Sequence, residues 1–422
     1  MYLLETLTAG MYNEPLAIYR EYIQNSVDSI DLISDKSEQD FKVDIQLDPF
    51  KKRITISDNG IGLSSDTAED VLCTLGSSDK RNYNNLRGFR GIGRLGGIAF
   101  SDRAIFRTKA HGDNIESVQE WDCQKLRNYL ADPKKSKMSL TQAIKEISKF
   151  NKTNSKSASG SYFLVTLDGV SSFRNHIFDI KKVMNYLSQI APVDFDLNKF
   201  SFGSEINEWL SKNLNNYGTY TISLNDIPIH KPYGDIIKTN KKNSDKIIGI
   251  KKVEIKIKDR PFAYGWYGIR EDLLGGITQG EESSGIRVRV GNILIGDAHL
   301  LDVCFREPRF NSYVVGEIHV ESPLLIPNSR RDDFIDNEFK TLFYNEIEKQ
   351  IGLPLSKEIR LKSRVSTSKK SITPKFQPQK TLNGVEKKIL THSNANKILN
   401  EIINTFGSNN EFIKILSNYK LI

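Results

Sequence analysis

The stretch that most constrains this chain is Glu21–Asp28, Glu-Tyr-Ile-Gln-Asn-Ser-Val-Asp, near the start of a 422-residue sequence. At about 100° per residue, Glu21, Asn25 and Asp28 stand at i, i+4 and i+7 and share one narrow helix face. Leu16, Tyr19, Ile23, Val27 and Ile30 fall roughly on the opposite side, where an amphipathic helix carries its buried stripe. A helix from about Glu14 to Ser34 is predicted. Its apolar side docks, and its acidic-amide side either faces water or lines a site.

Two glycine-bearing segments downstream favour a site. Ile54–Gly62 is an alternating strand that delivers Asp58 at its end and runs into Gly60 and Gly62, where a missing Cβ lets the backbone come close to a planar ligand. Arg87–Gly97 is basic and glycine-rich, with Gly88, Gly91 and Gly93 set among Arg87, Arg90 and Arg94. Closely spaced glycines at a helix start expose N–H groups, and flanking guanidinium groups add positive charge, so the segment is a candidate anion cradle. No Gly-Lys-Ser/Thr closes it, which excludes a Walker A loop. The Gly-x-x-Gly-x-Gly order without a preceding strand fits a dinucleotide fingerprint poorly.

In this order, Glu-x-x-x-Asn-x-x-Asp on a helix, Asp-x-Gly-x-Gly after a strand and Gly-x-x-Gly-x-Gly in a basic segment form a constellation. It resembles the ATP-binding (Bergerat) fold of the GHKL superfamily: gyrase, heat-shock protein 90, histidine kinases and MutL, with the MORC proteins as relatives. Gly160–Leu167 is similar to the Gly-Thr strand that closes the family's pocket, with Ser161 in place of Thr. Further on, Asn328-Ser329-Arg330-Arg331 follows the strand-like Gly316–Val320. It resembles the loop of the heat-shock protein 90 middle domain whose arginine reaches the γ-phosphate. Either Arg330 or Arg331 is the counterpart, with Arg330 favoured; the competing reading is a surface loop paired with Asp332 and Asp333.

The resemblance implies ATP and Mg²⁺ as ligands and a slow ATPase activity. A buried carboxylate accepting from an exocyclic amine gains roughly 1.5–3 kcal/mol, which assigns Asp58 to adenine. Asn25 offers a neutral oxygen suited to Mg²⁺, which takes few protein ligands and keeps several waters. Glu21 orients the attacking water, and Asp28 supports the pocket floor or the adenine side. Gly60, Gly62 and Ser161 belong to the nucleotide pocket; Lys80, Gly88, Arg90, Gly91, Ile92 and Gly93 fall in the lid over the triphosphate; an arginine from the second region completes the charge clamp. The family converts this chemistry into lid and domain closure with dimer clamping, so a homodimer is implied.

The fold class expected is α+β. A Bergerat-type α/β sandwich spans 1–170 with an insertion at about 111–159 around a helix Leu140–Phe150. An α+β transducer- or middle-like domain follows over 171–359, with strands at Tyr220–Leu224, Val253–Ile257, Ile286–Val290 and Ile293–Ile295. Lys-, Ser- and Pro-rich composition marks a linker at 360–384, and helical spacing recurs in a tail, 385–422. A hydrophobic content of 38% suffices for at least two cores. No run of about 18 apolar residues and no basic-then-apolar start is present, which predicts a cytoplasmic protein without a membrane partner. Three cysteines, Cys73, Cys123 and Cys304, and six histidines show no ligand spacing, so neither a disulfide framework nor a metal cluster is expected.

Two classes of target follow from the resemblance. One is a protein client that a chaperone-like cycle remodels. The other is nucleic acid held by a MutL- or MORC-like clamp, in DNA repair or host defence; the net charge of +8 is compatible with it, although the lysines are scattered. A histidine kinase fits poorly, because no phosphoacceptor helix precedes the ATPase motifs.

Overall fold

The computed structural model describes residues 15–33, 40–73, 93–132, 140–155, 160–171, 174–241, 244–278, 280–372, 376–380 and 386–390. Helix α1 (Ala17–Asp31) buries Ile18, Tyr19, Tyr22, Ile23, Val27 and Ile30, so the apolar side read from the sequence docks. Strands β1 (Lys42–Asp48) and β2 (Arg53–Asp58) form an antiparallel hairpin with Val43 opposite Asp58, Ile45 opposite Ile56 and Leu47 opposite Ile54. Side chains alternate across a strand, so this register sets Asp58 at the end of the buried apolar row rather than on the water side. Helix α2 (Ala68–Cys73) follows, and a 3-10 stretch, Gly93–Ala99, leads to β3 (Arg103–Lys109).

Residues 111–159 contain more structure than the single helix expected. Strand β4 (Ile115–Asp122), helices α3 (Cys123–Ala131) and α4 (Leu140–Ile147) and strand β5 (Ser148–Asn154) occupy them. The predicted helix over Leu140–Phe150 stops at Ile147. Beyond it, pairing of β5 with β4 outweighs the low strand propensity of its lysines and asparagines. β6 (Tyr162–Asp168) returns to the inner side of β3, leaving β4 and β5 as an outward extension.

The first core does not close at residue 170. Helix α5 (Ile180–Ile190) buries Val183, Leu187 and Ile190 in the cluster that holds Tyr19 and Ile56. After α6 (Gly203–Asn213), β7 (Thr221–Leu224) and β8 (Ile227–Pro228) complete a sheet ordered β5-β4-β3-β6-β2-β1-β7-β8. Thr221–Leu224, expected in the second region, lies parallel to β1 with Ile222 opposite Val43. Sequence separation concealed this, because a parallel partner needs a long crossover.

A second sheet takes β9 (Ile236–Ile237), β10 (Asp245–Ile257), β11 (Arg260–Arg270), β12 (Gly285–Val290), β13 (Ile293–Ile295) and β14 (Val315–Val320) in the order β13-β12-β14-β11-β10-β9. Only its β12–β14 pair is parallel among the described strands. One face packs on α6 through Phe200, Ile206, Leu210 and Trp266. Ile293 and Leu294 instead join the first core beside α5. Helix α7 (Glu338–Ile347) starts at Asn337, whose side chain accepts from Lys340 N.

The chain divides into two compact units after Leu353. Helix α8 (Leu353–Ile372) and the hairpin β15 (Phe376–Lys380) and β16 (Glu386–Leu390) follow. The segment read as a linker, 360–384, is thus helical to Ile372 and extended at 376–380. Arg360, Leu361, Lys362 and Arg364 are strong helix formers that outweigh the serines, and the helix runs to Ile372, close to Pro374 in the sequence. The tail read as helical opens with a strand; its predicted helices at 398–421 lie outside the described residues.

Candidate functional site

The polar face of α1 is enclosed rather than solvated. Asp28 is fully buried, Gln24 is buried beside it, and Glu21 and Asn25 are partly buried. The carboxamide oxygen of Gln24 has no hydrogen-bond partner, which is the condition of an acceptor that waits for a ligand donor or an ordered water. The sequence reading passed over Gln24, although at about 100° per residue it stands next to Asp28 on the helix wheel.

Beneath this face, the β2 turn is tightly determined. Asp58 Oδ1 accepts from Gly60 N at 3.0 Å, and Ile61 N donates to Ser29 O of α1 at 3.2 Å. Ser161 Oγ donates to Gly60 O at 2.6 Å, so this serine holds the turn from the β6 side. A Cβ on Gly60 would lie 2.4 Å from Ser29 Oγ, and one on Gly62, whose φ is +66°, would lie 2.1 Å from Lys109 O. The glycines thus admit close approach of protein to protein, where the sequence suggested approach of a ligand. Thr108, unnoticed in the sequence, links both sides: its Oγ1 accepts from Leu63 N at 2.9 Å and donates to Tyr162 O at 3.0 Å.

The glycine-rich segment is described only from Gly93 onward; Lys80, Gly88, Arg90, Gly91 and Ile92 lie outside the described residues. Within the described part, Gly97 N donates to Tyr22 Oη at 3.2 Å, and a Cβ there would come within 2.4 Å of that oxygen. Burial pushes the Tyr22 phenol well above its ordinary pKa, so it acts as a fixed hydroxyl.

The arginine loop meets α1. Arg20 Nη2 donates to the main-chain oxygen of Arg330 at 3.0 Å, and Arg20 Nε stands 3.6 Å from Glu21 Oε1. The two arginines of the loop differ. Arg331 is buried at φ +57°, and its main-chain oxygen accepts from Gly296 N at 2.8 Å, so it shapes the turn. Arg330 keeps its side chain 60% exposed, with Nε 3.6 Å from Asp332 Oδ2. Asp333 is engaged elsewhere, by Lys340 at 2.7 Å and Tyr344 at 2.9 Å. Arg20 was missed as a site residue; its only signal was adjacency to Glu21.

Sequence comparison agrees with this geometry. Residues 16–156 match the family model described as "Histidine kinase-, DNA gyrase B-, and HSP90-like ATPase". The chain is similar to the chaperone protein HtpG of Pectobacterium atrosepticum, 27% identical over 140 residues, covering 28% of this chain and 22% of the relative. HtpG of Bacillus licheniformis is 24% identical over 160 residues (34% and 25%), and HtpG of Coxiella burnetii 29% over 140 residues (28% and 22%). The chain thus spans a quarter or less of the length of these curated relatives. Among the described residues, no helix is long and apolar enough to cross a membrane. Residues 16–156, with a buried aspartate under an acidic-amide helix face, thus carry a segment of the histidine kinase-, DNA gyrase B- and HSP90-like (GHKL) ATPase type.

Proposed function

We propose that this chain binds ATP with Mg²⁺ and hydrolyses it slowly, in the manner of the heat-shock protein 90-like branch of the superfamily. The observation that carries the reading is the 3.0 Å bond from Arg20 to Arg330, which brings the arginine loop to the residue beside Glu21. Asp58 accepts from the adenine amine, with Asp28, Gly60, Gly62 and Ser161 framing that end. Glu21 orients and polarises the attacking water, and Arg330 supplies positive charge to the γ-phosphate while Arg331 holds the turn. The half-buried Asn25 suits Mg²⁺, and the unsatisfied oxygen of Gln24 beside it fits a site completed by ligand. Bound Mg²⁺ supplies charge neutralisation on the phosphates.

The cycle remodels a protein partner in the cytoplasm, with closure over the nucleotide coupled to clamping of a homodimer. A net charge of +8 favours an ATP-gated nucleic-acid clamp as the second reading. Calorimetry tests the core of the proposal. The wild type binds a non-hydrolysable ATP analogue, and Asp58→Asn weakens it by about 10- to 150-fold, matching a charged hydrogen bond of roughly 1.5–3 kcal/mol. Equal affinity in both proteins removes Asp58 from the base site. ATP-modulated DNA affinity that falls steeply with salt selects the clamp over the remodeller.

A further inference from the structure

Tyr19 and Arg20 are consecutive on α1, yet each is tied to a different distant segment. Tyr19 Oη donates to Ile177 O at 2.7 Å, just ahead of α5. Arg20 Nη2 donates to Arg330 O at 3.0 Å. A series of polar contacts connects the two ends. At the far end of α5, the carbonyl of Gln189 lies in the last turn, where helix carbonyls lack partners within the helix. It accepts from Arg289 Nη2 of β12 at 2.7 Å, which also sets a cation at the negative end of the helix. Arg289 Nε donates to Glu317 Oε1 of β14 at 2.6 Å. β14 then runs into the loop that carries Arg330, whose base is closed by the bond from Ile335 N to Ile326 O at 2.8 Å.

Glu317 is the node of this ring. It is fully buried and also receives Lys231 Nζ at 2.8 Å, Tyr233 Oη at 3.1 Å and a contact from His319 Nε2 at 3.1 Å. Asn292 bridges further, accepting from Lys231 at 3.0 Å and donating to Gly218 O at 2.8 Å. A buried carboxylate held by an amine and a guanidinium is a poor device for stability, since apolar residues of similar volume commonly serve as well or better. Directional bonds of this kind do fix distance and angle between the elements that bear them. Here those elements are α5, packed in the core with α1, and β14, which leads to Arg330.

We propose that this ring, which rests on the ATPase reading above, holds Arg330 in register with α1, with Tyr19, Arg289 and Glu317 as positioning residues.

The test uses Tyr19→Phe and Glu317→Gln in the full chain, alone and combined with Arg330→Ala. Each single variant loses about tenfold or more in kcat while affinity for the ATP analogue stays within about threefold, because only the placement of Arg330 changes. In the Arg330→Ala background neither substitution lowers kcat further, since the residue being positioned is gone. Falls that multiply in that background overturn the proposal. Hydrogen exchange without nucleotide gives a second readout: amides of residues 322–335 exchange at least about tenfold faster in Tyr19→Phe, and unchanged exchange overturns the ring. Tyr19→Phe removes one hydroxyl and keeps the ring packing, so it carries the test if Glu317→Gln does not fold. A wild type that binds no nucleotide overturns the ATPase reading, and the exchange result still judges the ring.

Discussion

Arg20 and Arg330 stand 310 positions apart and are joined by one bond from a guanidinium to a main-chain oxygen. Because Arg20 engages the backbone, the Arg330 side chain is left directed by its own contact with Asp332, an ion pair with both side chains more than half exposed. Such a pair is weak and readily exchanged for a stronger anion.

Arg330→Ala should therefore lower kcat by about 10³-fold or more, as loss of an arginine clamp does in related phosphoryl transfer, while the affinity for ATP changes little. Arg331→Ala should act differently, lowering thermal stability because it truncates a buried side chain at the turn, while the main-chain bond from Gly296 N is kept. Single-turnover kinetics beside thermal melts distinguish the two, and reversed phenotypes exchange the roles.

Glu21→Ala should keep nucleotide binding and lose turnover by about 10²- to 10⁴-fold, the range for a positioned general base. Parallel titration and phosphate-release measurements check this. Wild-type turnover in the variant removes Glu21 from the mechanism.

Gly62→Ala should be strongly destabilising. Its positive φ costs an L-residue about 1–2 kcal/mol, and the new Cβ meets the carbonyl oxygen of Lys109 at 2.1 Å, a backbone atom that cannot turn aside. Gly112→Ala is the control: its φ is +75°, but nothing stands within 4 Å of the added carbon. Nucleotide-free melts should show a fall of several degrees for Gly62→Ala and clearly less for Gly112→Ala.

The buried Lys231 should give stability a pH signature. Burial, then the neighbouring Arg289 charge, push its amine down to about 7 against the upward pull of Glu317. Its other neighbours are Asn292, Asp194, His319 and the ring of Phe195. An unfolded lysine keeps its proton to about pH 10.4, so between about pH 7 and 10 the unfolded chain binds more protons than the native one. Stability therefore rises with pH across that window, by at most about 1.4 kcal/mol per unit, and this contribution is flat below it. Denaturant unfolding at several pH values should show the slope in the wild type and a flatter one in Lys231→Met.

Local chemistry was legible in the sequence wherever it repeats with a short period. The helix spacing of Glu21, Asn25 and Asp28 and the alternation that ends at Asp58 each depend on neighbours a few residues away, and both reappear in α1 and β2. The difference between Arg330 and Arg331 was beyond it, because it lies in a left-handed backbone at Arg331 and a main-chain contact with Gly296. The strand at Thr221–Leu224 shows the same limit, since its partner β1 lies across a long crossover.

By itself, then, the sequence determined which side chains share the polar face of the first helix and that an aspartate follows an apolar strand into a glycine turn. Period and turn chemistry are properties of adjacent residues, so they survive without coordinates. Only the tertiary structure decided that Tyr19 and Arg20 anchor two different segments and that Glu317 gathers Lys231 and Arg289 in the buried core. Such contacts join residues far apart in the chain, and no local preference encodes which distant donor reaches a given acceptor.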